Sequence, residues 1–241
     1  INWRPIFLNA FAGGVCNGIA TNGKIWVVSG TNPSLTNGRQ IVYTDNIYEP
    51  FSSFSFNTGN SGYGGGRVEW NGSYFLCAGS NTGDNDTDIY ISSDGMTWSY
   101  THIGKYGTIS GVAWSGKSWV ISTIPGNNVQ STPGLLYSPD GVNWTAIYSA
   151  GSSFWTVEWT GSTFVAISGT ANQDTSYNNG FAYYSYNGVD WILGSNIGWT
   201  QQNQVGLCGY NVVWTRPNEA AVKIQLPTII GGSGTNNTMA Y

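Results

Sequence analysis

Charge is scarce in this chain. Only 8% of its 241 residues are Asp, Glu, Lys or Arg, about a third of the usual share in soluble domains. The polar surface must come instead from Asn, Ser, Thr, Gly and Tyr, a composition that suits extracellular and virion proteins. The eight basic residues form no stripe and the net charge is −4, which argues against duplex nucleic acid as a partner. Histidine is nearly absent: His102 stands alone. The three cysteines, Cys16, Cys77 and Cys208, lack CxxC spacing. A zinc site is therefore not expected, nor any other metal or cofactor, and the cysteines read as small buried apolar residues. No apolar run approaches the ~20 residues that span a bilayer, and no signal peptide is visible. The chain opens on Ile1 rather than Met, so it is expected to be processed or trimmed from something longer.

What the chain does have is a repeat. Ser92-Ser93-Asp94-Gly95-Met96-Thr97-Trp98 returns as Ser138-Pro139-Asp140-Gly141-Val142-Asn143-Trp144 and as Ser185-Tyr186-Asn187-Gly188-Val189-Asp190-Trp191, in steps of 46 and 47 residues. A second marker runs ahead of each box: Glu69-Trp70-Asn71-Gly72, Ala113-Trp114-Ser115-Gly116 and Glu158-Trp159-Thr160-Gly161. A period of this length with four short strands per unit predicts an all-β propeller of four-stranded antiparallel blades. In the third unit the strands read as 110–114, 118–123, 135–138 and 143–148, with Ser115-Gly116 and the box as turns. The second and fourth units repeat this. The first is looser: Asn22-Gly23 makes its hairpin turn and Thr44-Asp45 stands where the box should be.

The repeats fall near 8–61, 62–105, 106–151, 152–198 and 199–227, giving five blades in a single domain of residues 1–227. The fifth unit lacks a box and a fourth strand. Ile1-Asn2-Trp3 matches Val142-Asn143-Trp144, so residues 1–7 are expected to close the last blade and hide two sheet edges. Residues 228–241 fit no strand slot and read as a tail or linker.

The box has a sufficient structural explanation. Asp94, Asp140 and Asn187 can bond backbone amides two or three residues on. Trp98, Trp144 and Trp191 offer large packing areas, expected to set blade against blade. These residues resemble the Asp-box repeat of sialidase-like propellers, Ser-x-Asp-x-Gly-x-Thr-Trp, with one residue fewer between Asp and Gly and a match in three of five units. The resemblance implies a turn away from the active face. The paired markers also look like repeats in phage and large-virus structural proteins.

Function is expected on the opposite face, in the long loops 31–39, 80–87, 124–134 and 170–180. Aromatics recur near the connections between units: Phe11, Tyr63, Tyr106, Trp155 and Trp199. As a set they are the candidate ligand-binding residues, able to stack on sugar rings while Asn and Ser bond hydroxyls. Asp84-Asn85-Asp86-Thr87-Asp88 lacks the Gly and Glu of an EF-hand and reads as a solvated loop. Sialidase-type hydrolysis would need, by the resemblance, an arginine cluster, a tyrosine nucleophile with a glutamate, and an acid. No motif gathers Arg4, Arg39, Arg67 and Arg216. Glu69 and Glu158, in one register, are the only paired carboxylates a glycosidase could use, and no catalytic residue is assigned. The expectation is a non-catalytic module that binds a glycan, a cell-surface receptor or a protein partner in an assembly on a virion or in secretion. A ligand-free capsid or fibre scaffold and a glycoside hydrolase are the alternatives.

Overall fold

The computed structural model describes residues 11, 14–31, 39–46, 52–55, 66–81, 86–124, 134–147, 153–169 and 181–196. They form sixteen strands in four sheets. The first blade holds β1 (Val15–Thr21), β2 (Trp26–Thr31), β3 (Arg39–Thr44) and β4 (Ser52–Ser55). The second holds β5 (Arg67–Trp70), β6 (Phe75–Asn81), β7 (Asp86–Ser92) and β8 (Ser99–Lys105). The third holds β9 (Thr108–Trp114), β10 (Trp119–Ile124), β11 (Leu135–Ser138) and β12 (Thr145–Ile147). The fourth holds β13 (Ser153–Trp159), β14 (Phe164–Gly169), β15 (Phe181–Ser185) and β16 (Ile192–Asn196). Each sheet is an antiparallel meander paired in chain order. The expected fifth unit and the closing strand 1–7 lie outside the described residues.

The first turn of every blade is built alike. Asn22, Asn71, Ser115 and Thr160 each accept, on one side-chain oxygen, the N–H groups two and three residues on. Each donates its own N–H to the carbonyl three residues on. The glycine that follows has a positive φ, 86° to 98°, with open space around it. Backbone conformation rather than crowding requires glycine here. The turn therefore centres on the Gly-x pair, one residue beyond the Asn22-Gly23 reading.

The box makes the last turn of blades two to four. Ser92 Oγ accepts the Gly95 N–H at 2.7 Å and donates to Asp94 Oδ1 at 2.9 Å. Asp94 Oδ1 also takes the N–H groups of Met96 and Thr97, both at 2.8 Å. Ser138 with Asp140 and Ser185 with Asn187 repeat the pattern. Because these amides are taken, the fourth strands begin after the box tryptophan, two residues later than the pattern reading placed them. Hydrogen bonds from the Asn143 N–H, the Asn143 side chain and the Val142 N–H hold the Asp140 carboxyl well below the usual range. Asp94 is depressed too: desolvation pushes it up, and the N–H groups of Thr97 and Met96 with two hydroxyls outweigh that.

The third box exchanges roles and keeps the amide–carboxylate bond. Asn143 Nδ2 donates to Asp140 Oδ2 at 2.7 Å, whereas Asn187 Nδ2 donates to Asp190 Oδ2 at 2.8 Å. Amide and carboxylate have traded places three residues apart.

The cores lie between blades. Val27 and Ile41 pack with Val68, Phe75, Cys77 and Tyr90. Leu76, Ala78 and Ile89 pack with Ile109, Val112, Trp119, Ile121 and Leu136. Ala113, Val120 and Leu135 pack with Phe154, Val157, Phe164 and Ala166. The box tryptophans reach these cores from inside their own blade: Trp98 lies 6.3 Å from Phe75 and Trp191 6.4 Å from Phe164. The residue that meets the preceding blade is the box glycine. A Cβ on Gly95 would sit 2.9 Å from Val27, one on Gly141 2.6 Å from the Tyr74 hydroxyl, and one on Gly188 3.0 Å from Val120. Tyr74 OH also donates to the Asp140 carbonyl at 2.8 Å and accepts Trp119 Nε1 at 2.9 Å, stitching blades two and three. The cysteines divide: Cys77 is buried as expected, while Cys16 is exposed on β1.

The role exchange gives a double-mutant test. Asn187→Asp alone sets two carboxylates against each other and should lower unfolding stability by about 1 kcal/mol. Adding Asp190→Asn restores the pairing of the third blade and should recover stability to within ~0.5 kcal/mol. Urea denaturation of the three variants measures this. Losses that simply add would refute the exchange.

Candidate functional site

The first strands β1, β5, β9 and β13 line a cavity of about 930 Å³. Three of these strands share one irregularity. The register slips between Cys16 and Gly18, across from Ser122/Thr123 at Ser110, and between Phe154 and Thr156. Each slip is a β-bulge that leaves Asn17, Ser110 and Trp155 as extra residues. A bulged residue frees backbone polar groups from the ladder, and those groups need partners.

Arg67, on β5, supplies two of them. Its Nε donates to the Ser110 carbonyl at 3.1 Å and its Nη1 to the Asn17 carbonyl. One guanidinium thus ties the second blade to the first and the third. Serine hydroxyls add further ties: Ser29 Oγ donates to the Gly66 carbonyl, and Ser110 Oγ to the Phe154 carbonyl at 2.5 Å.

Glu69 and Glu158 enter the same cavity from β5 and β13. Their common register, one residue before the marker tryptophan, brings both to the axis. Desolvation, then the charge of Glu158, pushes the Glu69 carboxyl up to about 8, although the Trp114 N–H bonds it. Desolvation lifts Glu158 to about 7 against the pull of Arg67. Two carboxylates face one guanidinium, so the fully ionised trio carries a net charge of −1. A proton held between the pair near neutrality removes that charge. The rest of the wall is mixed, with Asn17, Thr21 and Thr156 beside Val15, Ile19 and Trp70.

The five aromatic candidates are not gathered into one site. Phe11 is 5% exposed and packs on Val28 and Val42, which corrects its reading as a ligand-facing residue. Tyr106 is half-buried, packs against the core between blades two and three, and donates its N–H to Thr87 Oγ1 at 3.3 Å. Trp155 is half-buried and is the bulged residue of β13. Tyr63 and Trp199 lie outside the described residues, as do most of the long loops expected to form the working face. The Asp84–Asp88 stretch is corrected from Asp86 onward. Asp86 to Asp88 belong to β7, and Asp88 is buried with Oδ1 3.2 Å from His102 Nδ1. Among the described residues no group of three or more His, Cys, Asp or Glu could hold a metal ion. None of their helices is long and apolar enough to cross a membrane.

Sequence reasoning missed the Arg67 clasp and the bulges. The repeat register did signal Glu69 with Glu158.

No protein-family model matches this chain, and no curated protein matches it. Solved structures do. The structure described as YCF48 bound to D1 peptide is 14% identical with a TM-score of 0.51, covering 80% of this chain and 55% of its own. The hydrazine synthase of Kuenenia stuttgartiensis is 14% identical with a TM-score of 0.50, covering 74% and 49%. A subtype N10 neuraminidase-like protein of A/little yellow-shouldered bat/Guatemala is 10% identical with a TM-score of 0.50, covering 75% and 59%. The chain thus spans about half the length of these proteins. Such likenesses define the fold class alone: this is a β-propeller, all-β, of four-stranded antiparallel sheets.

The raised carboxyls set a pH dependence. A Glu with a folded value near 8 and an unfolded value near 4.5 binds more protons folded than unfolded between those limits. Stability therefore falls as pH rises from about 4.5 to about 8, and is level beyond. Glu69→Gln should flatten that slope and raise stability at pH 8 by roughly 2–4 kcal/mol. Thermal denaturation across this pH range reads it directly. A wild-type midpoint that climbs toward pH 8 would contradict the assignment.

Proposed function

We propose that this chain is a non-catalytic, five-bladed binding module that receives a polar ligand, a glycan of a receptor surface, in the axial cavity. The cavity itself carries the reading: about 930 Å³ walled by four strands from four blades, with Glu69, Glu158 and Trp70 in the wall. Carboxyls poised near neutrality can both donate to and accept from hydroxyls. The charge balance offers no net attraction to anionic sugars near neutrality, since one proton shared by Glu69 and Glu158 leaves the remaining carboxylate to offset Arg67, and any further ionisation would repel them. Arg67 is already engaged with the carbonyls of Asn17 and Ser110, unlike a guanidinium held ready for a substrate carboxylate. The low charge of the chain and its Asn, Ser, Thr and Gly content support display on a virion or a secreted assembly. There a protein partner would hold the module in place.

One observation favours a hydrolase as the second reading. Both carboxyls are raised, to about 8 and about 7, and a general acid must keep its proton near working pH.

A glycan array probed with the purified full chain separates these readings. Retention of neutral glycans over sialylated ones, weakened at least tenfold by Glu158→Gln, is the expected result. Product release from a retained glycan, abolished by the same substitution, would convert the module into an enzyme. A blank array from a folded chain would leave the scaffold reading in its place.

A further inference from the structure

Glu69 and Glu158 share a register but not a set of partners. Glu69 on β5 accepts the backbone N–H of Trp114 on β9 and is held against the third blade. Glu158 on β13 feels the charge of Arg67, yet among the described residues none donates a hydrogen bond to it. An ionised carboxyl is acceptor-only, with lone pairs to fill on both oxygens. Glu158 thus brings unused acceptor capacity to the axial cavity. The other charged or titratable groups in the described wall are Arg67 and Cys16, while β9 gives only Gly111 and Val112 and β2 only Val28. Burial pushes the Cys16 thiol up, so it stays neutral.

The charge count then selects a cation. With both carboxyls ionised the wall is one negative charge in excess of Arg67, and a shared proton removes that excess. A monovalent cation would remove it equally well. A primary ammonium carries one positive charge, three N–H donors and no acceptor, which answers two acceptor-only carboxylates. A divalent ion fits less well. The Asn17 and Ser110 carbonyls are already taken by Arg67, and two positive charges would overshoot the balance. The rest of the wall suits a sugar. Thr156 lies two residues before Glu158, on the same face of β13. Val15 and Ile19 line the cavity as exposed aliphatics, 56% and 58% open, and offer a surface to the C–H face of a pyranose ring.

We infer that the axial cavity takes an amino sugar with a free, charged amine, its ammonium seated between Glu69 and Glu158 and donating chiefly to Glu158. The inference rests on the glycan-binding reading and names the sugar chemistry which that site selects. Seating the ammonium displaces the proton the pair otherwise shares, so binding releases protons near neutrality. N-acetylation of the sugar removes the charge and with it the advantage.

Calorimetry on the full chain at pH 7 and low salt tests this with three probes: a β-1,4-linked glucosamine tetramer, its fully N-acetylated counterpart, and tetralysine. The free-amine sugar should bind roughly tenfold or more tighter than the acetylated one, as a charge-assisted bond in a partly desolvated site should. Its heat should vary with the ionisation enthalpy of the buffer, as proton release requires. Glu158→Gln should bring the two sugars to within about twofold of each other without lowering the thermal midpoint, since it removes a half-buried charge. The comparison of sugars on the unaltered chain needs no variant to fold. Equal affinity for the two sugars, or a preference for the acetylated one, would overturn this inference and leave the glycan reading standing. Binding of neither sugar would overturn both. Tetralysine held as tightly as the glucosamine tetramer would move recognition to a protein lysine and overturn the sugar assignment.

Discussion

Among the described residues, each blade is a single sheet with apolar side chains to bury, and no helix covers a face. A four-stranded sheet of this kind cannot be stable alone, so every blade must be buried by its neighbours. That constraint explains why the cores are shared between sheets rather than held within them. It also explains the box glycines. The turn they sit in points at the preceding blade, and a Cβ there would meet Val27, Tyr74 or Val120 at 3.0 Å or less. Positive φ and close approach coincide at Gly95, Gly141 and Gly188. The side-chain oxygens of the box then fix the turn from the solvent side, where the carboxylates cost little to keep ionised.

The axis follows from the same packing. Bringing first strands together around a common line crowds their backbones, and the bulges at Asn17, Ser110 and Trp155 bend the strands to fit. Bending releases carbonyls from the ladder, and a buried carbonyl needs a donor. Arg67 meets that need with two hydrogen bonds. Its positive charge, in turn, offsets part of the cost of burying Glu158 beside it. The polar character of the cavity is thus a consequence of how the ring is assembled, and any ligand chemistry is built on groups that are also structural.

The repeat made most of the fold legible. Box and marker located the sheets in the order observed, and β5 and β11 fall on the residues the pattern assigned. What escaped was local. Strand starts were misplaced at the box because side-chain acceptors, invisible to hydrophobic periodicity, remove amides from the ladder. Bulges escaped because an extra residue changes spacing by one, which the looser connections absorb. The site was less legible. Aromatic residues at Phe11 and Tyr106 looked available for stacking, yet a blade-to-blade core consumes aromatics as readily as a ligand does. Glu69 and Glu158 were visible through their register, while Arg67 gave no sign in sequence that its guanidinium spans three blades.

A shared propeller settles none of the chemistry, since the fold is a platform and the site is what acts on it. The solved propellers that this chain resembles include a peptide complex, a hydrazine synthase and a neuraminidase-like protein. The discriminating quantity here is charge at the axis. An anionic ligand would enter a cavity already one negative charge in excess when Glu69 and Glu158 are ionised, and it could draw on only one guanidinium, already bonded to backbone. To bind it without that excess, at least one carboxyl would have to stay protonated, which becomes harder as pH passes the values near 7 and 8. A neutral polyol meets no such penalty, because a carboxyl can serve hydroxyls in either protonation state. On the binding reading proposed above, electrostatics narrows the ligand class where the fold alone does not.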